Sequence, residues 1–163
     1  MQDILDACAD HTPERVIPAG TTILADGERA GVLYVLIEGE VEVLKGNYQL
    51  HLISNPGAVF GEISVLLDTP PTATVRTTQP SRFYVIENPR EFLDAQPHVA
   101  LGIASLLAER LSVMTTYLVD LKRQYEGSEE HFGMIDEVLE TLAHGQRATH
   151  EPGSDRDPDP TVS

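Results

Sequence analysis

A short stretch of the chain, VFGEISVLLDTPPTATVRT at residues 59–77, has the residue types of an anion site. Gly61 and Glu62 open a predicted helix that continues through Ile63 and Ser64. The first amides of a helix have no acceptor within the helix, so they are free to bind an anion. Glycine at such a turn lets the anion approach the main chain closely. These four residues are therefore the first candidates for ligand binding.

Catalytic chemistry has little support in the same sequence. The six histidines are scattered, and none stands in the H-x-H or H-E-x-x-H spacing that brings two imidazoles to one metal. His51, alone in its predicted strand, is more typical of an ordinary strand residue than of a cupin metal ligand. Glu38, Glu40 and Glu42 alternate along one predicted strand face and indicate a solvated stripe. We expect no enzyme activity, no catalytic residue, no metal and no cofactor.

The net charge of the chain makes a nucleic-acid partner unfavourable. The 163 residues include 26 acidic and 11 basic ones, which gives a formal net charge of −15. Such a charge repels a phosphate backbone, and the adjacent basic residues Lys122 and Arg123 form no extended patch. No apolar run approaches the length of a membrane span, and the acidic N-terminus is unlike a signal peptide. We expect no nucleic-acid partner, no membrane contact and a cytoplasmic location.

Short apolar segments separated by turn residues dominate from about residue 13 to residue 88. Gly39 interrupts the segment VLYVLIEGEVEVL and predicts a bend where one long strand turns a corner. Strands at near-regular spacing, without helices between them, are typical of an antiparallel barrel or jelly roll. We therefore expect a mainly β module with helical flanks, the first of which is a helix over residues 1–12.

Helical periodicity replaces the strand pattern after Asn88, and a long helix is predicted from Pro97 to about residue 125. Apolar residues recur along this helix at alternating spacings of four and three: Leu107, Leu111, Met114, Leu118, Leu121 and Tyr125. This spacing is that of a coiled-coil seam and predicts a two-fold homodimer. The alternative is that the helix packs on its own β module.

Another helix is predicted over residues 128–145, with Ser128 as its N-cap. Its apolar face comprises Phe132, Ile135, Val138, Leu139 and Leu142. This face could cap the dimer or dock a protein partner. Residues 146–163 are rich in proline and aspartate, which predicts a disordered tail. The predicted divisions are thus residues 1–12, 13–125, 128–145 and 146–163.

Two segments together resemble a known family. ILADGERAGVLYVLIEGEVEVL, followed by NPGAVFGEISVLLDTPPTATVRT, is similar to the cyclic-nucleotide-binding domain, the sensor module of catabolite activator proteins and cyclic-nucleotide-gated channels. The resemblance covers about residues 13–125. Its most specific features are Gly27, the strand pair LYVLIEGEVEV, and Phe60-Gly61-Glu62 with Thr74-Val75 beyond them. The resemblance implies a jelly roll followed by a long helix.

The resemblance also implies a ligand, cAMP or cGMP, and assigns roles within residues 61–72, which we call the cassette. The amides of Gly61 to Ser64 would bind the cyclic phosphate, and Glu62 would accept a hydrogen bond from the ribose 2′-hydroxyl. Related sequences carry an arginine followed by Ser or Thr at the two positions occupied here by Pro71 and Thr72. Thr72 keeps the hydroxyl, whereas Pro71 has neither a charge nor a donor to offer the phosphate.

Two residues of the long helix complete the implied site. Arg110 aligns with an arginine that activator proteins carry near the pocket, and Thr115 aligns with a hydroxyl that contacts the base. Arg110 could pair with Glu62 or approach the phosphate; the alternative is a solvated arginine on an exposed helix face. Arg76, on the strand after the cassette, is a poorer candidate.

Two functional hypotheses follow. In the first, a dimeric sensor binds a cyclic nucleotide and signals through the long helix and residues 128–145. In the second, the fold has lost the nucleotide and serves as a dimeric protein-interaction module. The segment after Tyr125 holds no candidate helix-turn-helix, so a transcription factor acting through its own DNA-binding domain is not predicted.

Overall fold

The computed structural model describes residues 2–125 and 132–144. Within these ranges lie five helices: α1 (Gln2–Ala9), α2 (Glu62–Leu67), α3 (Pro89–Ala95), α4 (Pro97–Gln124) and α5 (Phe132–His144). The same ranges contain eight strands: β1 (Glu14–Ile17), β2 (Thr22–Leu24), β3 (Leu33–Glu38), β4 (Val41–Lys45), β5 (Tyr48–Ile53), β6 (Val59–Phe60), β7 (Thr74–Thr77) and β8 (Ser81–Ile86).

The strands form two four-stranded antiparallel sheets. One sheet has the order β1-β8-β3-β6 and the other the order β2-β7-β4-β5. A long helix, α4, follows the sheets and α3 in the chain. The predicted fold, an antiparallel jelly roll with helical flanks and a long helix, is confirmed.

Gly39 makes the predicted corner. Its φ is 115°, and the chain passes there from β3 in the first sheet to β4 in the second. A Cβ at this position would lie 2.1 Å from the Oγ atom of Ser81, so only glycine fits. The predicted bend is therefore confirmed.

The corner also shows that the predicted stripe of glutamates is wrong. Glu38 ends β3, whereas Glu42 lies in β4 of the other sheet, so the two do not share one strand face. Glu38 pairs with Arg82 at 3.1 Å, and Glu42 pairs with Arg76 at 2.6 Å. The glutamates therefore make separate ion pairs instead of one solvated stripe.

The two inner strands of the first sheet, β8 and β3, are buried on both faces. One face packs against the second sheet in a cluster that includes Leu24, Leu36, Phe60 and Phe83. The other face is covered by α1 and the beginning of α4, in a cluster that includes Ile4, Cys8, Val35, Val99 and Ile103. This double burial explains why β3 and β8 are almost continuously apolar in sequence.

The chain divides into two compact units, residues 1–108 and 109–163, and the division falls within α4. In the first unit, Leu107 of the predicted seam is half-buried against the helix-covered core. The alternative drawn from the sequence, that the helix packs on its own β module, therefore applies at that end.

The second unit contains the rest of the predicted seam. Leu111, Met114 and Tyr125 are exposed, whereas Leu118 and Leu121 are half-buried. The structure is that of one chain, and the homodimer stays a prediction.

Helix α5 lies within the predicted segment 128–145. Ile135, Leu139 and Leu142 are half-buried, and Val138 is exposed. An ion pair between Lys122 and Asp136 joins α4 to α5 within the second unit. The proposed N-cap Ser128, the side chain of Phe132 and the tail predicted over residues 146–163 lie outside the description.

Helix α4 is long and apolar enough, by length and composition alone, to cross a membrane. This differs from the expectation drawn from the sequence. It is weak evidence, because helices of proteins that never enter a membrane pass the same test. The absence of membrane contact thus stays a prediction.

Candidate functional site

Gly61 sets the geometry of the candidate cassette. It follows the buried strand β6, has φ 90° and ψ 0°, and caps the N-terminus of α2. A Cβ at this position would lie 2.6 Å from the main-chain oxygen of Val32. The backbone conformation and the close contact each require glycine, so α2 begins at a fixed place against the residue before β3.

Glu62 is the buried acid of the cassette. It is the first residue of α2 and is only 5% exposed, although it carries a carboxylate. A negative charge at a helix N-terminus is favoured by the helix dipole, and burial of a charge requires compensating polar contacts. The predicted hydrogen bond from a ligand hydroxyl to this carboxylate stays a prediction.

The two residues that follow differ in exposure. Ile63 is 43% exposed, whereas Ser64 is half-buried. The Ser64 hydroxyl donates to the main-chain carbonyl of Thr69 and so closes the turn after α2. The four candidates Gly61 to Ser64 therefore lie together, but the Ser64 side chain is already engaged within the protein.

Pro71 and Thr72 lie in the segment between α2 and β7. Pro71 is buried, and its carbonyl accepts a hydrogen bond from the amide of Gly27 at 2.8 Å. Thr72 is exposed, and its carbonyl accepts a hydrogen bond from Lys45 Nζ at 2.6 Å. The Lys45 ammonium also pairs with Asp26 at 2.8 Å. Bonds from β4 and from the turn after β2 thus fix this segment.

The C-terminus of α2 is held by two arginines. Arg29 donates to the Asp68 carboxylate at 3.2 Å and to the Asp68 carbonyl at 3.0 Å. Arg90, in α3, donates to the Val65 carbonyl at 3.2 Å. Both cations lie at the negative end of the short helix, where they bind carbonyl groups that α2 itself leaves unpaired. They stabilise the position of α2 from opposite parts of the chain.

A cavity of about 400 Å³ adjoins this end of α2 and is lined by residues that include Arg29, Ser64, Asp68 and Arg90. Its lining contains neither Glu62 nor Pro71. The cavity therefore borders the cassette at Ser64 without including Glu62 or Pro71, and it carries the carboxylates of Asp68, Glu87 and Glu91 beside the cations Arg29 and Arg90.

Arg110 and Thr115 belong to the unit formed by residues 109–163. Arg110 is exposed within α4, and the Thr115 hydroxyl donates to the Leu111 carbonyl one turn earlier at 2.8 Å. Their part in a ligand site stays a prediction. Arg76 is engaged on β7, where its Nε donates to Glu42 at 2.7 Å.

Sequence reasoning missed the three cations that hold the cassette, Arg29, Lys45 and Arg90. Each bonds to a main-chain carbonyl between 25 and 39 residues away in the chain. The spacing of residues along the sequence does not predict such bonds, because any exposed basic residue on a neighbouring element could make them. The sequence contains one indirect indication that a cation from elsewhere is needed: with Pro71, the segment between α2 and β7 has no basic residue of its own.

Comparison with known proteins identifies the region that contains this site. The family model for the cyclic nucleotide-binding domain matches residues 14–95. A CRP-like cAMP-activated global transcriptional regulator of Mycobacterium tuberculosis is 29% identical over 110 residues, which cover 64% of this chain and 49% of the regulator. A cAMP-dependent protein kinase regulatory subunit of Yarrowia lipolytica is 33% identical over 67 residues, 41% of this chain and 18% of that protein.

Solved structures show the same fold. The Catabolite Activator Protein of Thermus thermophilus superimposes with a TM-score of 0.60 and 21% sequence identity. The match covers 89% of this chain and 83% of that one. In contrast, the chain spans at most about half the length of the curated relatives described above.

Proposed function

Because the chain belongs to the cyclic nucleotide-binding domain family, we propose that it is a regulatory domain that senses a cyclic nucleotide, cAMP or cGMP. The observation that carries the proposal is the buried Glu62 directly after the constrained Gly61. The matched relatives are named as cAMP-activated or cAMP-dependent regulators, which supports a regulatory rather than a catalytic role.

Each cassette residue has a distinct task in this proposal. The amides from Gly61 to Ser64 bind the cyclic phosphate, and Ile63 and Thr72 border it. Glu62 accepts a hydrogen bond from the ribose 2′-hydroxyl, which both cAMP and cGMP carry. Arg110 and Thr115 are the proposed contacts from α4.

Pro71 limits the affinity. A hydrogen bond to a charged group is worth about 1.5–3 kcal/mol, which corresponds to roughly ten- to a hundredfold in affinity. A site without the arginine should therefore bind its nucleotide about that much more weakly than the same site with one. We expect dissociation constants in the micromolar range, on the order of 1 to 100 µM.

Calorimetric titration of the full chain with cAMP and with cGMP tests the proposal. Glu62→Gln removes the charge at nearly constant volume and should weaken binding at least tenfold, because the ribose hydroxyl loses a charged acceptor. Asp94→Asn, an exposed change of the same charge on α3, is the matched control and should leave the affinity unaltered. If neither nucleotide gave a detectable heat of binding at millimolar concentration, the proposal would be wrong.

Pro71 also favours a second candidate function, a dimeric protein-interaction module that binds no nucleotide. In that case the wild-type chain would fail to bind cAMP and cGMP, and Pro71→Arg would restore binding only if the rest of the pocket is intact. The wild-type titration therefore separates the two candidates.

Signal output is proposed to run through the helices after the jelly roll. The exposed Leu111 and Met114 of the α4 seam form a homodimer, and the segment 128–145 caps that dimer or docks a protein partner. A net charge of −15 supports protein rather than nucleic-acid contacts. A cytoplasmic location is part of the proposal and is supported by the regulatory relatives. The whole protein's partners are part of the same proposal, since the chain spans about half of its CRP-like relative.

A further inference from the structure

The segment that follows α2 carries no positive charge of its own between Pro70 and Thr74. Within the described residues a cation bonded to this segment is Lys45, the last residue of β4, whose Nζ donates to the Thr72 carbonyl at 2.6 Å. We propose that Lys45 is the cation that binds the phosphate of the ligand, in place of the arginine absent at position 71. The inference rests on the proposed function, since it requires a cyclic nucleotide at the cassette.

The position of Lys45 fits this role. Thr72 directly follows Pro71, so the ammonium is already bonded to the neighbour of the substituted residue. A lysine ammonium has three donors, of which one goes to Thr72 and one to the carboxylate of Asp26. The remaining donor, together with a flexible four-carbon side chain, lets Lys45 bind a phosphate oxygen without releasing Thr72.

The other basic residues of the first unit are engaged elsewhere. Within residues 2–108 their partners lie outside the segment from Pro70 to Thr74: Arg15 binds Glu87, Arg29 binds Asp68, Arg76 binds Glu42, Arg82 binds Glu14 and Glu38, and Arg90 binds the Val65 carbonyl. Among the basic residues of this unit, Lys45 is thus the one bonded to the segment from Pro70 to Thr74, whereas Arg29 and Arg90 bond to the cassette near the C-terminus of α2.

Because the Lys45 side chain is exposed, the proposed contact with phosphate should depend strongly on salt concentration. The Lys45 side chain is 56% exposed, so its attraction to a phosphate is screened by salt, and its pairing with Asp26 is weak enough to be exchanged. A buried, bidentate arginine is screened much less. Nucleotide affinity should therefore fall steeply between low and high ionic strength.

Titration of the wild-type chain and three variants with cAMP and cGMP tests the inference. Lys45→Met should weaken binding about five- to thirtyfold at low salt, less than the roughly ten- to hundredfold of a buried charge-assisted contact because the Lys45 side chain is exposed. The salt dependence of the dissociation constant should also become shallow. Arg76→Met, which removes an exposed cation from the same sheet, is the matched control and should change neither quantity. Pro71→Arg placed in the Lys45→Met background should restore affinity.

The outcomes separate the inference from the proposed function. If the wild type binds neither nucleotide, the proposed function is overturned. If it binds, and Glu62→Gln weakens binding while Lys45→Met behaves like Arg76→Met, Lys45 is not the phosphate cation. If Lys45→Met lowers the thermal midpoint and the affinity but leaves the salt slope intact, Lys45 only positions the Thr72 carbonyl and the inference is again wrong.

Discussion

Gly61→Ala tests the geometry from which the site is built. Gly61 has φ 90°, and an added Cβ would lie 2.6 Å from the main-chain oxygen of Val32. This oxygen belongs to the backbone directly before β3, a strand whose Leu33, Val35 and Leu36 are buried in the core. It therefore cannot turn aside as the end of a flexible side chain could.

The expected loss has two parts. A left-handed conformation costs a residue with a Cβ roughly 1–2 kcal/mol. Forcing an extra carbon into a packed site costs typically another 1–3 kcal/mol. The lower entropy of the unfolded alanine chain offsets about 0.4–1 kcal/mol of this sum. We therefore expect Gly61→Ala to lower the free energy of unfolding by about 1.5–4 kcal/mol.

Urea unfolding followed by circular dichroism measures this loss, provided that the transition is two-state. Gly20→Ala is the matched control, because Gly20 has φ +76° and nothing lies within 4 Å of its added Cβ. It should lose only the conformational part. If Gly61→Ala lost no more stability than Gly20→Ala, the close approach of Gly61 to Val32 would be refuted.

Three further predictions concern pH, packing and assembly. Burial raises the pKa of the Cys8 thiol from 9.0 to about 11, so the thiol loses its proton at lower pH in the unfolded chain than in the folded one. The free energy of unfolding should therefore fall between pH 9 and 11 by about 2–3 kcal/mol more in the wild type than in Cys8→Ala. Urea titration at each pH measures this difference. Thr77→Val should cost about 1–3 kcal/mol in the same assay, because the buried Thr77 hydroxyl accepts from the Thr21 amide at 2.9 Å and donates to the Pro18 carbonyl at 2.7 Å. Leu111→Glu combined with Leu118→Glu should halve the mass measured by light scattering, since buried glutamates in the seam would repel.

Each of these predictions has a control or a contrary outcome. Equal pH slopes for wild type and Cys8→Ala would contradict an ionisation suppressed by burial. Thr78→Val changes an exposed threonine next to Thr77 and should cost less than Thr77→Val. Val113→Glu lies off the seam and is 71% exposed, so it should leave the mass unchanged. An unaltered mass in the double variant would show that the seam does not join two chains.

The parts of the fold that the sequence predicted depend on local rules. Gly39 could be identified as a corner because a glycine interrupts the apolar segment VLYVLIEGEVEVL. The short strands follow from apolar segments bounded by turn residues, and the start of the long helix at Pro97 follows from the preference of proline for the first turn. In each case the cause and its effect lie within a few residues of each other.

The parts that could not be predicted depend on contacts between distant residues. The glutamate stripe was misassigned because alternation assumes one continuous strand, whereas the corner at Gly39 sends Glu38 and Glu42 into different sheets. The hold of Lys45 on Thr72 spans 27 residues and exists only because β4 pairs with β7. Such contacts depend on the register between strands, and no local sequence pattern specifies that register for exposed polar residues.

The substitution at Pro71 separates two tasks that one guanidinium could perform together, holding the loop and neutralising the ligand. The loop is held without it, since the Pro71 carbonyl binds the Gly27 amide and the Thr72 carbonyl binds Lys45. A proline also fixes φ and lowers the entropy of the unfolded segment, so the loop needs fewer contacts to stay ordered. What proline cannot supply is charge. The site therefore depends for its countercharge on a residue that another strand provides, and its affinity should follow the salt concentration to which that exposed residue responds.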